Sequence, residues 1–258
     1  MKYSLFILVL LLLISSKTFS QSEVFEDGEE LSYDVSYSFI NIGSVTFSTK
    51  KVQGKENSFV CRSIMKSNTS LPFVSVDDEF ITELDVVNGK VKPSKFTAYE
   101  TKDGQRNSLT CIFNYDSNYI SLKKIGFNGQ VEAEKKINST TLFQDGLSVF
   151  YNARYCFSKS GSEYVPVIMY LDTALMKINY NLNKTDVSIG EVDHDISSVY
   201  LDGFSYFTAV FGLTGDFSGW FSNDAARIPL KAKLEVKIGS VTLELKSWKR
   251  KSWTPPNF

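Results

Sequence analysis

The chain's single histidine, His194, stands between two carboxylates in Asp193-His194-Asp195. Such neighbours favour the imidazolium and can help to hold a metal ion. Adjacent strand residues point to opposite faces, so the three side chains converge only if the segment is a loop. No H-x-H or H-E-x-x-H spacing supports a metal site. His194 therefore reads as a loop residue, with no metal and no cofactor expected. Asp77-Asp78-Glu79 could supply the paired carboxylates of a glycan hydrolase, but after Pro72 they read as a solvated turn. Gly215-Asp216-Phe217-Ser218-Gly219 has its serine one place off the G-x-S-x-G nucleophile elbow. Cys61, Cys111 and Cys156 lack C-x-x-C spacing and read as buried, inert thiols. The chain shows no phosphate loop or dinucleotide fingerprint. The balance leans against an enzyme.

The densest chemistry is apolar. Phe204, Tyr206, Phe207, Phe211, Phe217, Trp220 and Phe221 crowd into one short stretch. They can be core, or they can wall a pocket. In a strand, Phe217, Gly219 and Phe221 share one face, and Ser218, Trp220 and Ser222 share the other. Small neighbours beside a large ring leave space, and Gly219 permits a bend. The candidate ligand-binding residues are Trp220, Phe217, Phe221, Tyr206 and Phe211, with Trp220 bordering a pocket for an apolar chain. Arg227 reads first as a partner of Asp224 that staples a hairpin. Its alternative role, bidentate grip on an anionic headgroup, adds it to the candidates.

These residues must be positioned by strands. From Ile228 to Ile238 every even position is apolar, with Pro229, Lys231, Lys233, Glu235 and Lys237 between. A period of two is the pattern of an antiparallel strand with one wet face. Alternation resumes at Val241, Leu243 and Leu245. A Gly239-Ser240 turn then pairs Ile238 with Val241 and Leu234 with Leu245. The first strand runs from Leu31 to Phe39, turns near Asn41–Ser44 and continues through Val45 and Phe47. Ile42–Phe47 echoes Ile238–Leu243 at five of six positions. Strands follow at Phe59–Met65, Glu79–Val87, Lys95–Thr101, Ser108–Tyr115, Tyr119–Ile125 and Gln130–Ile137. Asn88-Gly89, Asp103-Gly104 and Asn128-Gly129 are hairpin dipeptides between them, which predicts a meander. Asp145–Tyr155 reads as a lone helix capped by Asp145, with Leu147, Phe150, Tyr151 and Tyr155 on one face. Strands resume at Tyr164–Leu171, Met176–Leu182, Ile196–Leu201 and Phe204–Phe211. The predicted class is mainly β: a curved antiparallel sheet or half-barrel of many short strands with one helix packed against it.

Residues 1–20 read as a secretory signal: Lys2, the ten-residue apolar run Leu5–Ile14, and small Thr18 and Ser20 before Gln21. The run is too short to span a membrane. Residues 21–258 then form one β domain, periplasmic or secreted, that does not cross the membrane. Without Lys2 and Lys17 the chain carries 26 basic against 29 acidic residues, a net charge of −3. With its only dense basic run at Lys249-Arg250-Lys251, nucleic acid is not an expected partner. The expected partners are a lipid or other amphiphile, or another envelope protein.

In Gly28-Glu29-x-Leu31-x-Tyr33-x-Val35-x-Tyr37, Ile42-Gly43, Asp145-Gly146-Leu147-Ser148-x-Phe150-Tyr151-x-x-Arg154, Trp220-x-Ser222-x-Asp224-x-x-Arg227-Ile228-Pro229 and Gly239-Ser240-Val241, the chain resembles the exported bacterial proteins of the domain of unknown function 3108 family. The resemblance runs from about residue 25 to 248. It implies a curved antiparallel β fold in the cell envelope and assigns no reaction. A fold-level likeness to half-barrel periplasmic lipoprotein carriers implies acyl chains held against a concave sheet. Binding of an apolar or amphiphilic ligand is thus the expected function, and an envelope hydrolase acting on glycans through paired carboxylates is the alternative.

Overall fold

The computed structural model describes residues 21–70, 75–207, 213–236 and 239–258; the signal segment and Phe211 lie outside them. Period-two alternation produces strands throughout. The first half of the chain gives β1 (Glu30–Tyr37), β2 (Ile40–Lys51), β3 (Ser58–Ser67), β4 (Asp77–Val87), β5 (Lys90–Lys102), β6 (Gln105–Asn114), β7 (Tyr119–Ile125) and β8 (Val131–Asn138). The helix α1 (Ser148–Cys156) follows. The second half gives β9 (Gly161–Met169), β10 (Asp172–Val187), β11 (Ile196–Ser205), β12 (Leu213–Ser222), β13 (Pro229–Val236) and β14 (Ser240–Lys249).

Among the described residues these fourteen strands form one curved, unclosed antiparallel sheet in the order β8-β7-β6-β5-β4-β3-β2-β1-β14-β13-β12-β11-β10-β9. The chain enters at the centre and meanders out to β8. It then crosses through α1 to the far edge and meanders back until β14 pairs with β1. Neighbouring strands are thus consecutive in the chain everywhere except at that one seam, and β8 and β9 are the one consecutive pair held apart, at the two edges. The two edges come close. Lys135 of β8 lies 3.3 Å from Asp172 of β10, and Gln144 bridges Val167 on the open side of β9. Helix α1 packs across both halves. Phe150 stacks on Phe47 of β2 at 4.3 Å, while Phe157, just past the helix, meets Phe221 of β12 at 5.4 Å and Tyr180 of β10 at 5.1 Å.

Several local expectations are corrected. The first hairpin turns at Ser38-Phe39, not at Asn41–Ser44. Gly43 lies inside β2, where a Cβ would collide with the Lys66 carbonyl of β3. It serves close strand approach, so the echo with Ile238–Leu243 does not mark equivalent turns. In the β13–β14 hairpin Leu234 pairs with Val241, not Leu245. That register sets Lys231 against Glu244 at 2.8 Å in place of like charges. The helix begins at Ser148, because Gly146 and Leu147 form a turn. Asp77–Glu79 open β4 and are not a turn. The strand expected over Phe204–Phe211 does not form as such: Phe204 and Ser205 end β11, Tyr206 and Phe207 form a bend, and the remainder lies outside the described residues.

Candidate functional site

The site is organised by α1, which is fixed at both ends by buried polar groups. At its start Asp145 is fully buried. Its Oδ1 accepts the N–H groups of Leu147 and Ser148, each at 2.8 Å, and Thr82 donates to its Oδ2 at 2.7 Å. The Asp145 N–H donates in return to Ser148 Oγ at 2.8 Å, a reciprocal cap that satisfies otherwise orphaned donors. Burial outweighs these bonds and raises the Asp145 pKa. In the last turn of the helix, Arg154 grips Glu29 with both terminal nitrogens at 2.7 and 3.1 Å. It also donates to the carbonyls of Ala226 and Arg227. Arg250 pairs with the same carboxylate from β14's exit. Burial alone would raise the Glu29 pKa, but the two guanidinium groups more than offset it and hold the carboxyl below its usual range.

Between this anchored helix and β10–β13 lies an apolar cavity of about 230 Å³. Val149, Phe150 and Ala153 of α1 form one wall. Met176, Ile178, Leu201, Phe217, Phe221, Ala232 and Leu234 form the others. Glycines shape it: a Cβ on Gly203 would collide with the Phe217 ring, and one on Gly219 would press on the Phe221 ring. Ser205, Thr214, Asp216, Ser218, Lys231 and Glu235 are its polar lining residues. The sequence candidates are split by the sheet. Phe217 and Phe221 line the cavity. Trp220 sits on the opposite face, edge-on to Tyr200 at 5.2 Å, and does not border the cavity. Tyr206 is exposed and packs on Phe204 at 4.9 Å. Arg227 is buried beneath the helix end, where its Nε donates to the Phe157 carbonyl at 3.1 Å. The Asp224 staple runs through the backbone: its Oδ1 accepts the N–H groups of Ala226 and Arg227 at 3.0 and 3.2 Å.

The profile of the family described as protein of unknown function (DUF3108) matches residues 32–246. The chain belongs to the DUF3108 family. No curated protein matches it. A solved structure, the β-barrel-like protein of domain of unknown function DUF1849 from Brucella abortus, superposes with a TM-score of 0.58 at 8% identity. The alignment covers 89% of this chain and 100% of that one. At that identity the likeness is one of fold alone.

The polar candidates of this DUF3108 chain are dispersed. His194 lies in the β10–β11 connection, its Nδ1 3.4 Å from Asp193. Cys61 and Cys111 are buried free thiols, each pushed up to about 12 by burial, and so remain protonated and unreactive. Asp78 faces Glu100 across β4 and β5. Burial first, then Glu100 and Asp77, push its carboxyl up to about 6. Glu79 is instead held by Arg62 at 2.5 Å and by Arg106. Sequence reasoning missed the Glu29–Arg154–Arg250 cluster. Both Glu29 and Arg154 lie in the motifs that carry the DUF3108 resemblance, but 125 residues separate them and nothing local pairs them.

Proposed function

We propose that this protein is an exported, non-catalytic envelope protein that binds the apolar tail of an amphiphile in the cavity between α1 and β10–β13. One observation carries the reading: a dry-lined cavity survives under a helix that is polar-anchored at both ends. Its roughly 230 Å³ falls below the range of about 300–1,000 Å³ typical of drug-sized ligands, which favours a single short chain. Export would follow from cleavage before Gln21, and N-terminal sequencing of the extracytoplasmic form tests that step. The binding test is displacement of an environment-sensitive fatty-acid probe, comparing wild type with Ala232→Trp, which fills the cavity. Saturable binding that falls about tenfold or more in the variant supports the reading. A wild-type protein that binds no probe saturably refutes it.

A second reading, hydrolysis of glycans through paired carboxylates, has the Asp78–Glu100 juxtaposition in its favour. Turnover of an envelope glycan that vanishes in a folded Asp78→Asn variant would replace the binding reading with this one.

A further inference from the structure

The outer face of β9–β13 carries a side-chain grid. Antiparallel partners share a face, so the registers define its rows. The first row runs Tyr164, Lys177, Phe204, Asp216. The second, two residues further along each strand, runs Asn179, Asp202, Ser218, Lys233. The third runs Tyr200, Trp220, Lys231. A polar row is therefore enclosed by two rows bearing aromatics. At about 3.3 Å per residue, Tyr200 and Phe204 stand about 13 Å apart along β11.

Apart from Tyr164, Trp220 and Lys231, these residues line an open groove of about 550 Å³ on the side of the sheet away from α1. The groove is preorganised. Ser162 donates to Asn179 Oδ1 at 2.7 Å, and the Asn179 amide donates to Asp202 at 2.5 Å, which fixes two planar polar groups side by side. Trp220 braces Tyr200 at 5.2 Å, and Tyr206 braces Phe204 at 4.9 Å. Phe204 remains 38% exposed and Tyr206 56%, more than core filling explains. The groove's charges nearly cancel: Lys177 and Lys233 face Asp202, Asp216 and Glu235. Such a lining offers no net field for a polyanion or polycation.

We propose that this groove binds a neutral oligosaccharide. A pyranose ring presents C–H faces that sit on aromatic rings, and hydroxyl edges that need donors and acceptors together. Asn and Asp side chains supply both on one row, and Lys adds donors. A chain of sugars laid along the strands would stack on the Phe204 and Tyr200 rings while its hydroxyls meet the Asn179–Asp202 row. The groove shares Asp216, Phe217, Ser218 and Glu235 with the lining of the tail cavity, but Tyr200, Phe204, Asn179 and Asp202 belong to the groove alone.

The test is titration of the purified protein with cellohexaose, chitohexaose and laminarihexaose, followed by tryptophan fluorescence and calorimetry. Saturable binding of at least one is expected, with millimolar or tighter affinity. Phe204→Ala and Tyr200→Ala should each weaken it about tenfold, equivalent to about 1.4 kcal/mol. An unchanged thermal midpoint and circular dichroism spectrum in Phe204→Ala report that the fold is intact, and fatty-acid probe binding, where wild type shows it, should be unchanged, which separates this inference from the tail-binding reading. Absence of saturable binding by all three sugars overturns the proposal. So does binding indifferent to both aromatic substitutions, or a groove that takes up only a protein partner.

Discussion

Arg154 is the largest fully buried side chain among the described residues, and its charge is met by Glu29 and by two carbonyls of the β12–β13 connection. A buried pair contributes little relative to an apolar replacement of both partners. Removing one partner alone leaves a stranded charge and costs about 3–5 kcal/mol. Arg250 still pairs with Glu29, so Arg154→Met is expected to lower the unfolding free energy by about 3 kcal/mol, the low end of that range, measured by urea denaturation at neutral pH. The pH dependence has a definite sign. Glu29 is held below its usual pKa in the folded chain, so its contribution is present above the unfolded carboxylate range and is lost as pH falls through the lower, folded value. In Arg154→Met that depression weakens, and the acid limb of the stability profile should move to higher pH. An acid limb that does not move would mean that Arg250 alone holds the carboxylate.

The β1–β2 hairpin shows what local sequence can and cannot reveal about an element. Asn88-Gly89 and Asp103-Gly104 take positive φ at both turn positions, as their composition predicts. Ser38 and Phe39 take the same left-handed conformation, at φ +45° and +74°, with no glycine to ease it. Turn composition points to Gly43 and so to Asn41–Ser44, whereas Gly43 is small for the sake of Lys66. Phe39 is also fully exposed, so no burial offsets its backbone strain. Replacing Ser38-Phe39 with Asn-Gly is expected to stabilise the protein by about 1 kcal/mol, read as a raised thermal midpoint. An unchanged or lowered midpoint would show that the turn is not strained. Strand positions and the meander of the first half were legible because alternation is a local signal. The β13–β14 register was not, since it depends on Lys231 meeting Glu244 and not on the turn residues alone.

At the scale of the whole molecule, the seam between β1 and β14 joins the two ends of the chain. There Tyr33 donates to the Pro229 carbonyl at 2.9 Å across 196 residues. No periodicity encodes so distant a pairing, which is why the fold class was readable and the strand order was not. The same holds for the site: Phe217 and Phe221 were legible as one face of a strand and a helix was expected against the sheet, but Val149 and Ala153 as the wall opposite them were not. The sheet's two edges are unequal in a way that hydrogen exchange can read. β8 is exposed along nearly its whole length and carries Glu132, Glu134 and Lys136, charges that discourage further pairing at this edge. The β9 edge is partly closed, since Ile168 donates to the Gln144 carbonyl at 2.8 Å and Gln144 donates to the Pro166 carbonyl at 2.9 Å. Local opening free energies run from about zero at frayed edges to the global value in core strands. Amides of residues 131–138 should therefore exchange first, those around Ile168 distinctly later, and those of β1, β2 and β14 last. Mass spectrometry of deuterium uptake in these segments checks the order. If β8 were as protected as β1, its edge would have to be paired with another chain, and the unclosed sheet would be half of an assembly.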